Sequence, residues 1–172
     1  MTGFVLEGIV NGCLKFCECS EAKFNVFVKT GDQAASPLPG WPSRLKKIQY
    51  FEEKFQFEGS QPTLLLPFSW RHPLVDSVIV YQHSGCCYVV GIQITLETPK
   101  KHEKSLRFVE EGANHLKFVP RAFQDLGKHK VALLWIVPNA KKAPLAGGKP
   151  DSLQGVLELE HFESVCGVPI PV

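Results

Sequence analysis

Apolar and polar positions along this chain change period several times, and each change marks an element. From Asp76 to Thr98 the text "DSVIVYQ-HSG-CCYVVGIQITLET" holds two β-branched, aromatic-rich runs joined by His83 to Gly85. Such runs suit the buried, pleated surface of a sheet, and the short turn-rich connection predicts an antiparallel hairpin closed off by Pro99. From Lys100 to Val119 the apolar residues Leu106, Val109, Ala113, Leu116 and Val119 recur at spacings of three and four. That period predicts an amphipathic helix, bent near Gly112. "KVALLWIVP", Lys130 to Pro138, predicts a core strand, "LQGVLELEHF" another, and "VCGVPIPV" an extended tail.

The first third is less regular. "FVLEGIVNGCLKF" fits a hairpin turning at Asn11-Gly12. It fits equally a helix from Thr2 to Asn11, capped by Gly12, with Phe4, Leu6, Ile9 and Val10 as its apolar side. A strand is then expected over Leu14 to Cys19 or Lys23 to Val28. Residues 31–42 and 139–151 are rich in proline, glycine and small polar residues and are expected as loops. "KIQYFE" and "KFQF" alternate as strands do, and "PTLLLPF" is an extended piece pinned by Pro62 and Pro67. This order predicts an α+β (α/β) fold: one mixed central sheet flanked by helices, in a single domain over 1–172 that can be the C-terminal piece of a longer protein.

Composition narrows the class without naming a function. The chain has 172 residues, 44 % hydrophobic and 21 % charged, as globular domains do. There is no apolar run of about 18 residues, so no spanning helix is expected. The N-terminus lacks a basic leader with a small-residue cleavage site, so no secretory signal is expected. The six cysteines follow no zinc-like spacing, and a chain of this length does not depend on staples, so reduced thiols and an intracellular setting are expected. Net charge is +2, too mild to mark a nucleic-acid binder by itself. Basic residues do cluster locally, as Arg44, Lys46 and Lys47, and as Lys100, Lys101, Lys104 and Arg107 around His102. Each cluster taken alone is ordinarily a solvated face. His83, His115 and His129 have no nucleophile pattern around them, and "APLAGGKPDS" lacks the spacing of a phosphate-binding P-loop. Trp41, Trp70 and Trp135 are expected as packing residues.

The chemistry lies in the polar residues of the hairpin. Burying an unpaired carboxylate is strongly unfavourable, so Asp76 requires a cation, hydrogen-bond donors or water. Gln93 and Thr95 are two residues apart on a strand and share a face, with the carbonyl of Ile94 between them. An antiparallel hairpin brings Asp76 towards Gln93 to Leu96. Such an oxygen set suits a hard, partly hydrated cation such as magnesium, which can polarise a phosphodiester and acidify an attacking water. From residue types alone, a turn-capping acid and a solvated strand face explain the same pattern.

"TLLLPFSWRHPLVDSVIVY" followed by "YVVGIQITLETPKKH" resembles the restriction-endonuclease-like domain of Crinkler effectors and trypanosome retrotransposon hot spot proteins. The elements carrying the resemblance are Pro67, Asp76, Gln93-Ile94-Thr95 and His102. Outside them, "GFVLEGIVNGCLKF" is similar to that domain's opening helix, "ALLWIVPNA" to its next core strand and "GVLELEHFE" to its closing strand. The resemblance implies a PD-(D/E)xK core and favours the helical reading of the first segment. It implies catalytic positions at Glu7, Asp76, Gln93 and Thr95, and magnesium held by Asp76, Gln93 and the Ile94 carbonyl. Two departures weaken such a centre: Gln93 stands where the superfamily has a second carboxylate, and Thr95 where it has a lysine. Lys100, Lys101 or Lys104 is the expected source of the missing charge, and with His102 and Arg107 these residues are the expected nucleic-acid contacts. The implied function is metal-dependent hydrolysis of nucleic acid, DNA foremost, in the nucleus of a host cell if the chain is an effector. The alternative is a catalytically degenerate nuclease fold that binds protein or nucleic acid.

Overall fold

The computed structural model describes residues 3–16, 27–30, 36–51, 61–68, 74–96, 99–110, 129–138 and 153–160. The opening segment is a helix, α1 (Gly3–Phe16), which excludes a hairpin at Asn11-Gly12. It continues beyond the expected Asn11 end, and Gly12 lies inside it. The reason is the apolar stripe: Leu6, Val10, Cys13 and Leu14 are all buried, at helical spacing, so ending the helix at Gly12 would forfeit the last two contacts. The extended reading of Leu14 to Cys19 is therefore wrong for Leu14 to Phe16. Of Lys23 to Val28, only Phe27 and Val28 fall within the described residues, where they begin β1 (Phe27–Thr30).

The remaining strands are β2 (Ser36–Pro37), β3 (Lys47–Phe51), β4 (Thr63–Pro67), β5 (Ser77–His83), β6 (Cys86–Ile94), β7 (His129–Val137) and β8 (Leu153–Glu158). They form one eight-stranded mixed sheet in the order β2-β1-β8-β7-β6-β5-β4-β3. β2 lies inside the stretch expected as loop, pairing with β1. The run "KFQF" and the loop 139–151 lie outside the described residues. The hairpin is as expected, its turn formed by Ser84 and Gly85 at positive φ. β6 pairs in parallel with β7, and β7 with β8. β4 runs antiparallel to β5, while β3 and β4 run parallel to each other. Consequently the C-terminal ends of β3, β4, β6, β7 and β8 share one end of the sheet with the start of β5.

Both faces of the sheet are covered. On one, Leu6, Val10 and Leu14 of α1 pack over Ile79, Val90, Ile92, Leu134 and Ile136. On the other, Leu106 and Phe108 pack over Val78, Val80, Val89, Leu133 and Trp135. Each fully buried aliphatic side chain contributes roughly 1.5–3 kcal/mol, so a handful of contacts suffices to seat each layer. Phe108 approaches the sheet at Gly91, where a Cβ would stand 2.7 Å from its ring. Trp41 packs edge-on to Tyr81, and Trp135 is fully buried, in keeping with packing roles; Trp70 lies outside the described residues.

The segment after β6 corrects the expectation of one continuous helix from Lys100. Pro99–Leu106 is 3-10 helix, interrupted at His102 (φ −113°, ψ 30°), and a short α2 (Arg107–Glu110) follows. Residues 111–128 lie outside the described residues. At the interruption, His102 lies against Thr95, just after the end of β6.

Candidate functional site

Three polar side chains meet where β5 begins and β6 ends. The pairing of Ser77 with Ile92, extended one step, sets Asp76 opposite Gln93. The backbone confirms this register: the Asp76 N–H donates to the Ile92 carbonyl at 2.8 Å. Both side chains then fall on the face covered by the 3-10 helix. Gln93 Nε2 donates to Asp76 Oδ2 at 2.8 Å, and the Ile94 backbone N–H donates to the same oxygen at 2.6 Å. On the far side of the amide, Ser105 Oγ donates to Gln93 Oε1 at 2.8 Å. Gln93 and Ser105 are almost completely buried, so this chain of bonds satisfies atoms that would otherwise cost about 1–3 kcal/mol each.

Beside it stands a second pair. Thr95 is buried, its N–H donates to the Ile136 carbonyl at 2.9 Å, and its Oγ1 lies 3.0 Å from His102 Nε2. An imidazole is thus set against Thr95. The side chains of Lys100 and Lys101 lie outside the described residues. Lys104 and Arg107 are exposed, one on each side of buried Ser105 and Leu106. The second basic group, Arg44 to Lys47, sits where β3 starts, at the opposite end of the sheet.

Electrostatics separate this corner from an ordinary strand end. Burial pushes the Asp76 carboxyl up to about 7, and the negative charge of Glu7 adds to the rise, against the lowering effect of the Ile94 and Gln93 donors. Glu7, half-buried on α1, is itself raised by burial. Glu7 and Asp76 are therefore close enough to feel each other, although they come from opposite layers.

Compared with known proteins, the chain matches no family model, no curated protein and no solved structure.

Among the described residues, no group of three or more histidine, cysteine, aspartate or glutamate side chains could hold a metal ion. As oriented, Gln93 turns N–H, not oxygen, towards Asp76. Rotating the amide by half a turn would face its oxygen to the carboxylate and its N–H to Ser105, whose hydroxyl accepts as readily as it donates. No hydrogen bond to Ser105 is forfeited. The Ser77 hydroxyl is fully buried with no partner, but alternation turns it to the α1 face, away from the Asp76 side chain. What this corner offers a hard cation is one buried carboxylate, the charge of Glu7 acting from α1, and neutral oxygens. Ser105 was not legible as a site residue: its only signal is its position on the segment after Leu96, in a helix whose packing the sequence misread.

Proposed function

We propose that this chain is a nuclease-like domain of PD-(D/E)xK type that acts on the phosphodiester backbone of nucleic acid. The observation that carries the proposal is the meeting of Asp76 with Gln93 and Ile94 at the open end of a mixed sheet, with Glu7 of the first helix acting on the same carboxylate. The element order supports it: a helix, three consecutive antiparallel strands (β4, β5, β6), a helical crossover, and a strand parallel to β6. That is the order in which such a core presents its acid and, on the next strand, its pair of residues two apart.

In this proposal Asp76, the Ile94 carbonyl and, once its amide is rotated, Gln93 Oε1 would hold magnesium, with Glu7 in support. When bound, the ion supplies Lewis-acid polarisation of the phosphate and acidification of a water. Asp76 contributes only when ionised, and its raised affinity for protons opposes cation binding in acid. Ser105 stays bonded to the Gln93 amide in either orientation, as donor to its oxygen or as acceptor from its N–H. His102, against Thr95, takes over the place of the absent lysine. As imidazolium it offers positive charge where the transition state gains negative charge, and as imidazole it can accept a proton from water.

Plasmid and single-stranded substrates with magnesium or manganese provide the test, using wild type, Asp76→Ala, His102→Ala and Gln93→Glu. Expected are slow metal-dependent cleavage abolished by Asp76→Ala and by chelation, a reduction of about 10²-fold or more in His102→Ala, and faster cleavage in Gln93→Glu. No cleavage by well-folded wild type and Gln93→Glu alike would sink the catalytic reading. The orientation of Gln93 towards Asp76 would then favour a second reading, in which the amide stands in for the cation and the domain binds without cutting.

A further inference from the structure

Every exposed large hydrophobic side chain among the described residues lies at one end of the sheet. Tyr50 is 60 % exposed, Phe68 65 % and Leu96 39 %. Tyr50 is the penultimate residue of β3, Phe68 follows β4, and Leu96 follows the end of β6. These are the strand ends that share an edge with the start of β5. Extending the β4–β5 register by two residues sets Pro67 opposite Asp76, so Phe68 lies just beyond the strand that flanks the acid. Neighbouring strands are about 4.8 Å apart, so Phe68 and Tyr50 stand one and two strands from Asp76 at the same end of the sheet, on the face opposite to its side chain.

Tyr50 and Phe68 also form a unit. Their ring centroids are 5.5 Å apart with the planes tilted by 42°. Alternation along β3 and β4 puts both on the α1 side of the sheet, the side that carries Glu7, opposite to the face shared by the Asp76 and Gln93 side chains. Tyr81 and Tyr88 form a comparable pair on the same face, stacked at 5.0 Å, but they are buried and serve the core. Tyr50 and Phe68 are mostly exposed, so their paired rings stand open to a ligand.

We propose that Tyr50 and Phe68 form a stacking platform for an unpaired nucleobase, so that the preferred ligand is single-stranded or frayed nucleic acid rather than intact duplex. The inference rests on the nuclease-like reading of the Asp76 corner and narrows its substrate class. An aromatic face accepts any base, which gives affinity without sequence preference. In a duplex the bases are already stacked on one another and offer only their edges. A base on this platform would hold the adjoining backbone at the end of the sheet where β5 begins, from where it can pass round that end to Asp76.

Binding of the full chain to three fluorescently labelled probes provides the test: an oligonucleotide single strand, the same sequence as blunt duplex, and an abasic strand of equal length. The variants are Phe68→Ala, Tyr50→Ala with Phe68→Ala, and Phe68→Trp. Both side chains are exposed, so folding is retained, and the single variant serves where the double is unstable. Expected is tighter binding of the base-bearing strand than of the duplex or the abasic strand. The double variant should lose about tenfold or more of that affinity, with Phe68→Trp retaining it. A 2-aminopurine placed in the strand should be quenched by wild type and not by the double variant. Equal binding of strand and duplex, unchanged by the double substitution, overturns the platform and leaves the nucleic-acid reading standing. Failure to bind any of the three probes overturns both. A change of oligomeric state in the double variant, with single-strand binding intact, assigns the patch to self-association and also overturns the platform.

Discussion

At the scale of single residues, Asp76 is the group whose surroundings matter most. Its carboxyl is raised from 3.8 to about 7, chiefly by burial and then by Glu7. The folded state therefore holds a proton that the unfolded chain has released. Between about pH 4 and pH 7 the native state binds more protons than the unfolded state, so stability falls as pH rises across that window. The penalty is fully present above pH 7 and absent below about pH 4. Its size is on the order of a few kcal/mol, since each tenfold change in proton affinity corresponds to about 1.4 kcal/mol. Asp76→Asn keeps an acceptor for the Ile94 N–H and removes the titration. We expect its melting temperature to exceed wild type at pH 8 and to lose most of the decline between pH 4 and pH 7. Parallel pH profiles of the two proteins would show that the carboxyl is not under this strain. Magnesium should raise the wild-type melting temperature at pH 8 and not at pH 5, where the proton holds the site.

At the scale of elements, two glycines separate local propensity from packing. Gly12 lies inside α1, and a Cβ there meets nothing within 4 Å. Gly12→Ala should stabilise the protein by about 0.5–1 kcal/mol, because glycine loses more backbone entropy in a helix. Gly91 lies inside β6, and a Cβ there would stand 2.7 Å from Phe108 and 2.9 Å from Val75. Gly91→Ala should cost about 1–3 kcal/mol, and it should also displace the helix that carries His102 and Ser105. Denaturant unfolding of the two variants checks both signs. Equal effects would mean that Phe108 is not seated as described. The 3-10 helix illustrates the same competition. Its sequence carries an α-helical period, but burial of Ser105 and Leu106 and the approach of His102 to Thr95 prevail over regular hydrogen bonding.

At the scale of the molecule, the two basic groups lie at opposite ends of the sheet. The group Arg44 to Lys47 begins β3 and is far from the Asp76 end, whereas Lys104 and Arg107 flank the residues of the helix that supplies Ser105. Among the described residues no helix is long and apolar enough to cross a membrane. If phosphates lie along the helix after β6, Lys104→Glu should weaken binding of all nucleic-acid sequences alike and reduce its salt dependence by about one ion. Lys46→Glu should change neither. The reverse pattern, measured by titrations at several salt concentrations, would move the backbone path to the other end of the sheet.

The hairpin, the β7 and β8 strands, and the juxtaposition of Asp76 with Gln93 were all legible in the amino-acid sequence. They follow from period-two alternation and a short turn, which act between neighbours and fix register within a few residues. The likeness of the Gln-x-Thr strand to a nuclease motif was legible too, and it remains a proposal. The end of α1 was not, because Gly12 favours a stop by local propensity while Cys13 and Leu14 gain burial by continuing. Nor was the side chain that meets Thr95, since a kink at His102 depends on the sheet end it packs against. The link from Ser105 to Gln93, the influence of Glu7 on Asp76 and the gathering of Tyr50, Phe68 and Leu96 at one edge belong to the tertiary structure alone. Each joins residues from separate elements, and only strand order and direction bring such residues together.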